Sequence, residues 1–141
     1  MHAAGCWNRY DEYGCLYTAL TREGAIAEYR KVVGKYVELA ASEDDKRDVV
    51  SIRVHVELVL DLTDSRVRDE YRASLITLTG DHEADLETCR SIADLARARP
   101  YRAILSPSAA LEGAVNLNIY LEGRAAELRL WEGPDREPLN Y

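Results

Sequence analysis

Hydrophobic positions along the chain change period several times, and each change predicts an element. In the stretch that starts at Cys15, Leu16, Tyr17, Thr18 and Ala19 have the aromatic and β-branched content of a short buried strand. It runs directly into a helix. Thr21 offers a hydroxyl N-cap and Glu23 an anion in the first turn, where the helix dipole favours it. Ala25, Ile26, Tyr29, Val32, Val33 and Tyr36 recur at helical spacing and predict one stripe facing a core. Glu28 falls on the edge of that stripe, which predicts a half-buried carboxylate, and burial without a partner is costly. Further on, Val49 to Leu62 alternates with period two. Ile52, Val54, Val56, Leu58, Leu60 and Leu62 take one face, and Ser51, Arg53, His55, Glu57 and Asp61 the other, which predicts one long strand with one wet face. His55, between Arg53 and Glu57, is expected on the exposed face of that strand.

Thr63 or Asp64 can cap a short helix through Tyr71, with Leu75 to Gly80 as a connecting segment. Asp81 then opens a long helix to Arg99, closed by Pro100, with Leu86, Cys89, Ile92, Ala93 and Ala96 as its apolar stripe. Short strands are expected over Tyr101–Leu105, Val115–Leu121 and Ala126–Trp131, the second carrying Asn116 and Asn118. The segments before Gly14, at Ala41–Asp48 and after Glu132 read as loops or surface tail. Strand, helix, strand, helix, helix and three strands make a single α+β domain over residues 1–141, with no repeat or linker.

Composition narrows the function. The net charge is −7 over 141 residues, which argues against a duplex-DNA surface but not against a small anionic ligand held by a few arginines. No apolar run approaches the roughly 18 residues a membrane span needs, and the N-terminus lacks a signal peptide's apolar region, so a cytoplasmic protein is expected. Cys6, Cys15 and Cys89 lack metal-ligand spacing and read as reduced thiols. His2 and Cys6 are too few for a metal site, and no metal is expected.

In order along the chain stand Gly5-Cys6-Trp7-Asn8, Gly14, Leu16-Tyr17-Thr18, Ala25-Ile26-Ala27-Glu28, Pro107-Ser108-Ala109 and Asn116-Leu117. With this order, and with eleven residues between Tyr17 and Glu28, the sequence resembles the RES domain family from about Gly5 to Tyr120. The resemblance implies a relative of the ADP-ribosyltransferase fold and a toxin that degrades NAD, the toxin half of a toxin–antitoxin pair. It implies Tyr17, Glu28 and Ser108 as catalytic residues, and Trp7, Asn8, Arg9 and Asn116 as residues contacting the dinucleotide. NAD is then a substrate, with water or inorganic phosphate as acceptor and no resident cofactor. The implied partner is a helix-turn-helix antitoxin, with no direct nucleic acid or membrane contact and with a homo-oligomer left open.

Two departures from the family pattern stand out. The family's phosphate-holding arginine falls at Cys6, three positions before Arg9, which is the candidate to replace it; and only four residues precede Gly5, fewer than the family has. The first departure keeps alternatives open: a RES-like binding or decoy module, or a fold relative acting on another nucleotide.

Overall fold

The computed structural model describes residues 6–9, 12–35, 47–121, 126–130 and 137–138. Its main sheet has four strands in the order β1 (Cys15–Ala19), β6 (Val115–Tyr120), β5 (Ala103–Pro107) and β4 (Val59–Asp61). β6 pairs antiparallel with β1 and β5, placing Tyr17 opposite Asn118 and Ala19 opposite Asn116. β4 and β5 are parallel, with Leu60 beside Ile104, and the chain between them forms the helices that a parallel connection requires.

One face of this sheet carries the core. Leu60, Leu62, Ile104 and Tyr120 alternate onto it and meet Cys89, Ile92, Ala93 and Ala96 of helix α4 (Glu83–Ala98). Trp7 and Tyr13 from the N-terminal loop, with Ala73 and Leu78, complete the cluster. The stripe expected for this helix is thus the one buried, with Leu86 half-buried at its margin.

Helix α1 (Arg22–Lys35) begins where expected: the Thr21 hydroxyl accepts from the Gly24 amide at 3.1 Å, and Glu23 lies in the first turn. A Cβ on Gly24 would stand 3.3 Å from the Ala19 Cβ and 3.6 Å from that of Ala114. Glycine therefore lets the first turn press onto the end of the sheet, and one turn later the helix delivers Glu28 there. Val32, expected on the apolar stripe, is exposed, and Tyr36 lies outside the described residues. β1 is the edge of the described sheet and is only partly buried, not the buried strand its composition suggested.

The long alternating strand expected over Val49–Leu62 is broken. It forms β2 (Asp48–Val49), β3 (Ile52–Val56) and β4, in three different sheets: β2 pairs with β8 (Glu137–Pro138), and β3 with β7 (Ala126–Leu130). The break between β3 and β4 falls at Leu58, whose φ is +60° and whose side chain is exposed. A left-handed residue cannot continue a pleated ladder, so the second half of the pattern turns into the main sheet. Alternation is kept on either side of the bend, which is why the sequence does not betray it.

Asp64 caps α2 (Ser65–Glu70) through the Arg66 amide at 2.9 Å, as expected. The segment Leu75–Gly80, expected as a connection, contains a one-turn helix α3 (Leu75–Leu78) capped by the Ser74 hydroxyl on the Thr77 amide. β5 starts two residues later than expected and takes in Ser106 and Pro107; proline is tolerated at a strand terminus because the ladder needs no N–H there. His55 is exposed, 3.5 Å from Glu57. Among the described residues no helix is long and apolar enough to cross a membrane, and no group of three His, Cys, Asp or Glu side chains is placed to hold a metal. His2 lies outside the described residues.

Candidate active site

The core-bearing face of the sheet ends in a row of polar side chains. Period two sends Asn116 and Asn118 of β6, Ser106 and Ser108 at the end of β5, and Tyr17 and Ala19 of β1 to the same side. Glu28 reaches this row from α1. Its Oε1 accepts from the Ser108 hydroxyl at 2.7 Å and from the Asn116 Nδ2 at 2.7 Å, across 80 and 88 residues of chain. Short contacts to an ionised acceptor are the stronger kind of hydrogen bond.

The Ser108 hydroxyl has a defined direction. Its oxygen accepts from the Ala110 and Leu111 amides, each at 3.1 Å, so both lone pairs are engaged and its proton goes to Glu28. The small residues after Pro107 let the loop fold back for this, closed by Ser108 N–H donating to the Ala114 carbonyl at 2.9 Å and by Gly113 at φ +78°. Both donors converge on Oε1. No described residue hydrogen-bonds Oε2, so one carboxylate oxygen is anchored by two donors and the other has no hydrogen-bond partner among the described residues. Asn116 turns its amide nitrogen to Glu28, and its Oδ1 is buried without a partner among the described residues. A ligand donor placed there would be welcome, since a buried unpaired acceptor is costly.

Tyr17 stands on the same face, two positions along β1 from Ala19, or about 7 Å from the Asn116 row. Tyr17 is 46% exposed. Its hydroxyl is engaged: it donates to Asn8 Oδ1 at 2.5 Å and accepts from the Trp7 amide at 3.0 Å. Burial of this tip raises its pKa and keeps the proton on Tyr17. Trp7 and Asn8, expected to contact a dinucleotide, are 4% and 2% exposed; Trp7 belongs to the core, and both grip Tyr17. Tyr17→Phe is therefore expected to cost about 1–3 kcal/mol, because it removes the hydroxyl that bridges the Trp7 N–H and the Asn8 oxygen in a buried place. Urea unfolding checks the cost. Amide exchange checks the place, with the Trp7 N–H losing protection first.

Arg9 is held by helix α4. Its Nε donates to Asp94 at 2.8 Å, and its two terminal nitrogens grip Glu87 at 3.2 and 2.9 Å, holding the Glu87 carboxyl below the usual carboxylate range. The fork that would suit a phosphate is filled by these carboxylates. Cys6 packs on the core and shares a hydrogen bond with Cys89, which together with burial pushes its thiol pKa up, while the charges of Arg90 and Lys31 oppose the rise. Two supporting residues had no role assigned from the sequence. Asn118, 1% exposed, donates to the Ile104 carbonyl at 3.2 Å and to the Ser106 hydroxyl at 2.9 Å, and Ser106 is equally buried. Adjacent polar positions in an otherwise apolar strand pair were the available signal.

The structure resembles that of the Mycobacterium tuberculosis MbcT–MbcA toxin–antitoxin complex, with a TM-score of 0.75 and 20% identity over 96% of this chain and 71% of that one, which shows a shared fold. No curated protein sequence matches the chain. The RES domain sequence profile matches residues 2–138, nearly the whole length. That match spans the Glu28 and Ser108 segments which the fold joins by a hydrogen bond, and the chain belongs to the RES domain family.

Proposed function

We propose that this chain, read as one RES-like domain over residues 1–141, is an enzyme that cleaves the nicotinamide–ribose bond of NAD, and the toxin of a toxin–antitoxin pair. The observation that carries this reading is the half-buried Glu28 carboxylate with Oε1 tethered to Ser108 and Asn116 and Oε2 left without a hydrogen-bond partner among the described residues. Departure of nicotinamide leaves positive charge on the ribose. A fixed carboxylate stabilises that charge without having to reorganise. Oε2 also suits a hydrogen bond to an incoming water or phosphate, or to a ribose hydroxyl. The exposed ring of Tyr17 supplies a flat surface for nicotinamide or ribose, and its hydroxyl fixes the 6–9 loop beside it. No resident cofactor enters the scheme. A helix-turn-helix antitoxin is the proposed partner and the cytoplasm the proposed compartment; the structural neighbour is a toxin–antitoxin complex, which supports a protein partner.

A second reading, a binding or decoy module, is favoured by one observation: Cys6 carries no charge and the Arg9 fork is filled by Glu87 and Asp94. Nicotinamide release from NAD by the purified protein, measured with and without phosphate, tests both. Release that Ser108→Ala abolishes is the expected result. Cys6→Arg is expected to tighten NAD binding by roughly one to two decades, the worth of a charge-assisted phosphate contact. Binding without release from either protein would select the second reading, and neither binding nor release would remove both.

A further inference from the structure

Cys6 has chemistry that the Glu28 reaction does not use. It stands in the 6–9 loop, packs on the core and shares a hydrogen bond with Cys89 of helix α4. The fold thus keeps two sulfurs in contact from residues far apart in the chain. Cys6 is half-buried, so a small reagent can reach it, whereas Cys89 is 0% exposed. Cys15, the third thiol, is half-buried against the same core. Burial pushes its thiol up to about 12, and its hydrogen bond is to Tyr17.

The two segments that carry the sulfur pair are docked on each other. Trp7, next to Cys6, is buried in the core. Arg9 is fixed to Glu87 and Asp94 at 2.9 and 2.8 Å, and Cys89 lies between those two residues in α4. The sulfurs therefore close to a bonding distance of about 2.05 Å from a contact that the fold already maintains.

The charge around the pair suits thiol–disulfide exchange, in which the thiolate is the nucleophile. The hydrogen bond with Cys6 draws the Cys89 thiol below its ordinary range, against burial and Asp85 and with help from Arg90. A Cys89 thiolate is then in place to receive the proton that Cys6 gives up.

We propose that Cys6 and Cys89 form a reversible dithiol switch, which a low-molecular-weight disulfide closes into a bond that staples the 6–9 loop onto α4. The Cys6 sulfur attacks one sulfur of the reagent RSSR and expels RS−, while its proton passes to the Cys89 thiolate. RS− then takes that proton and leaves as RSH. The Cys89 sulfur attacks the Cys6 sulfur and expels the second RS−, which takes from solvent the proton that Cys89 first released. Two protein thiols are oxidised to one disulfide, and RSSR is reduced to two RSH. The stapled loop is the one whose Trp7 amide and Asn8 oxygen hold the Tyr17 hydroxyl, so the bond stiffens the support of Tyr17. The switch does not depend on NAD chemistry, and a transient bond of this kind is the sort that reducing compartments allow.

The test incubates the folded full chain with oxidised glutathione, alkylates the remaining thiols and maps the peptides by mass. A Cys6–Cys89 bond within one chain, with Cys15 alkylated, is the expected result. The oxidised protein should melt roughly 5–15 °C higher, the scale for closing a long loop, and its Trp7 N–H should exchange more slowly. Dithiothreitol should reverse both changes. Cys6→Ser should show neither the bond nor the shift, and Cys15→Ser should keep both. Three alkylated thiols after incubation would overturn the proposal. So would glutathione left on Cys6, or a bond through Cys15 or between two chains. A Cys6–Cys89 bond that leaves the melting temperature unchanged or lowers it would overturn it as well, since the loop would then not be stapled in its native place.

Discussion

Glu28→Gln is expected to lower NAD turnover by on the order of 10²-fold or more, with only a small loss of stability. Glutamine has the same shape, and its side-chain oxygen can still accept from Ser108 and Asn116 as Glu28 Oε1 does at 2.7 Å. Ser108 has no competing use for its proton, since its own lone pairs are taken by the Ala110 and Leu111 amides. The two contacts become neutral hydrogen bonds instead of charge-assisted ones, a change of about 1 kcal/mol. At the Oε2 position an amide nitrogen takes over and carries neither the negative charge nor the acceptor. An oxocarbenium-like ribose needs both. Nicotinamide release and the melting temperature, measured on the same preparation, separate the effects. Wild-type turnover at unchanged melting temperature would remove Glu28 from the chemistry, and a large fall in melting temperature would make the residue structural.

The second large effect lies in the core. Ile104→Ala is expected to destabilise the protein by about 3–4 kcal/mol, within the range for truncating a buried branched side chain. Ile104 is 0% exposed, in the strand beside Leu60 of β4 and Asn118 of β6. The core cluster it shares with α4 offers Cys89, Ala93 and Ala96 from that helix, side chains too short to fill the vacated space. The cavity therefore stays open, and the cost falls in the upper half of the range. Such a loss is a large part of the 5–15 kcal/mol typical of a folded domain. Urea unfolding should show a lower midpoint at unchanged slope. Ile76→Ala, at a site 83% exposed, is the control and should change stability by under about 0.5 kcal/mol. A loss below about 1 kcal/mol at Ile104 would mean that α4 does not press on β5.

Much of the architecture is written in nearest-neighbour patterns. The 3.6-residue stripe Cys89–Ile92–Ala93–Ala96 is the buried face of α4, the caps at Thr21 and Asp64 begin their helices, and β6 lies within the strand expected over Val115–Leu121. These features depend on residues within about a turn of one another, so they can be read before the fold is known. The motif order brought Tyr17, Glu28 and Ser108 together on paper, and the edge position of Glu28 on its stripe predicted a carboxylate in need of a partner.

What waited for the tertiary structure was decided by residues far apart in the chain. The alternation from Val49 to Leu62 continues through Leu58, and only the competing partners β7 and β5 divide it between sheets. Arg9 is a loop residue in the sequence and an α4 ligand in the fold, because Glu87 and Asp94 come to it from more than 70 residues away. Tyr17 gives its hydroxyl to Trp7 and Asn8, and Glu28 is tethered through one oxygen only. Hydrogen bonds of this kind have no period. Their geometry is set when helix α1 is pressed through Gly24 onto the sheet end and the Ser108 loop closes over it. The residue types of a site can thus be legible in the chain, while its directions — which oxygen is anchored and which is offered — belong to the packing.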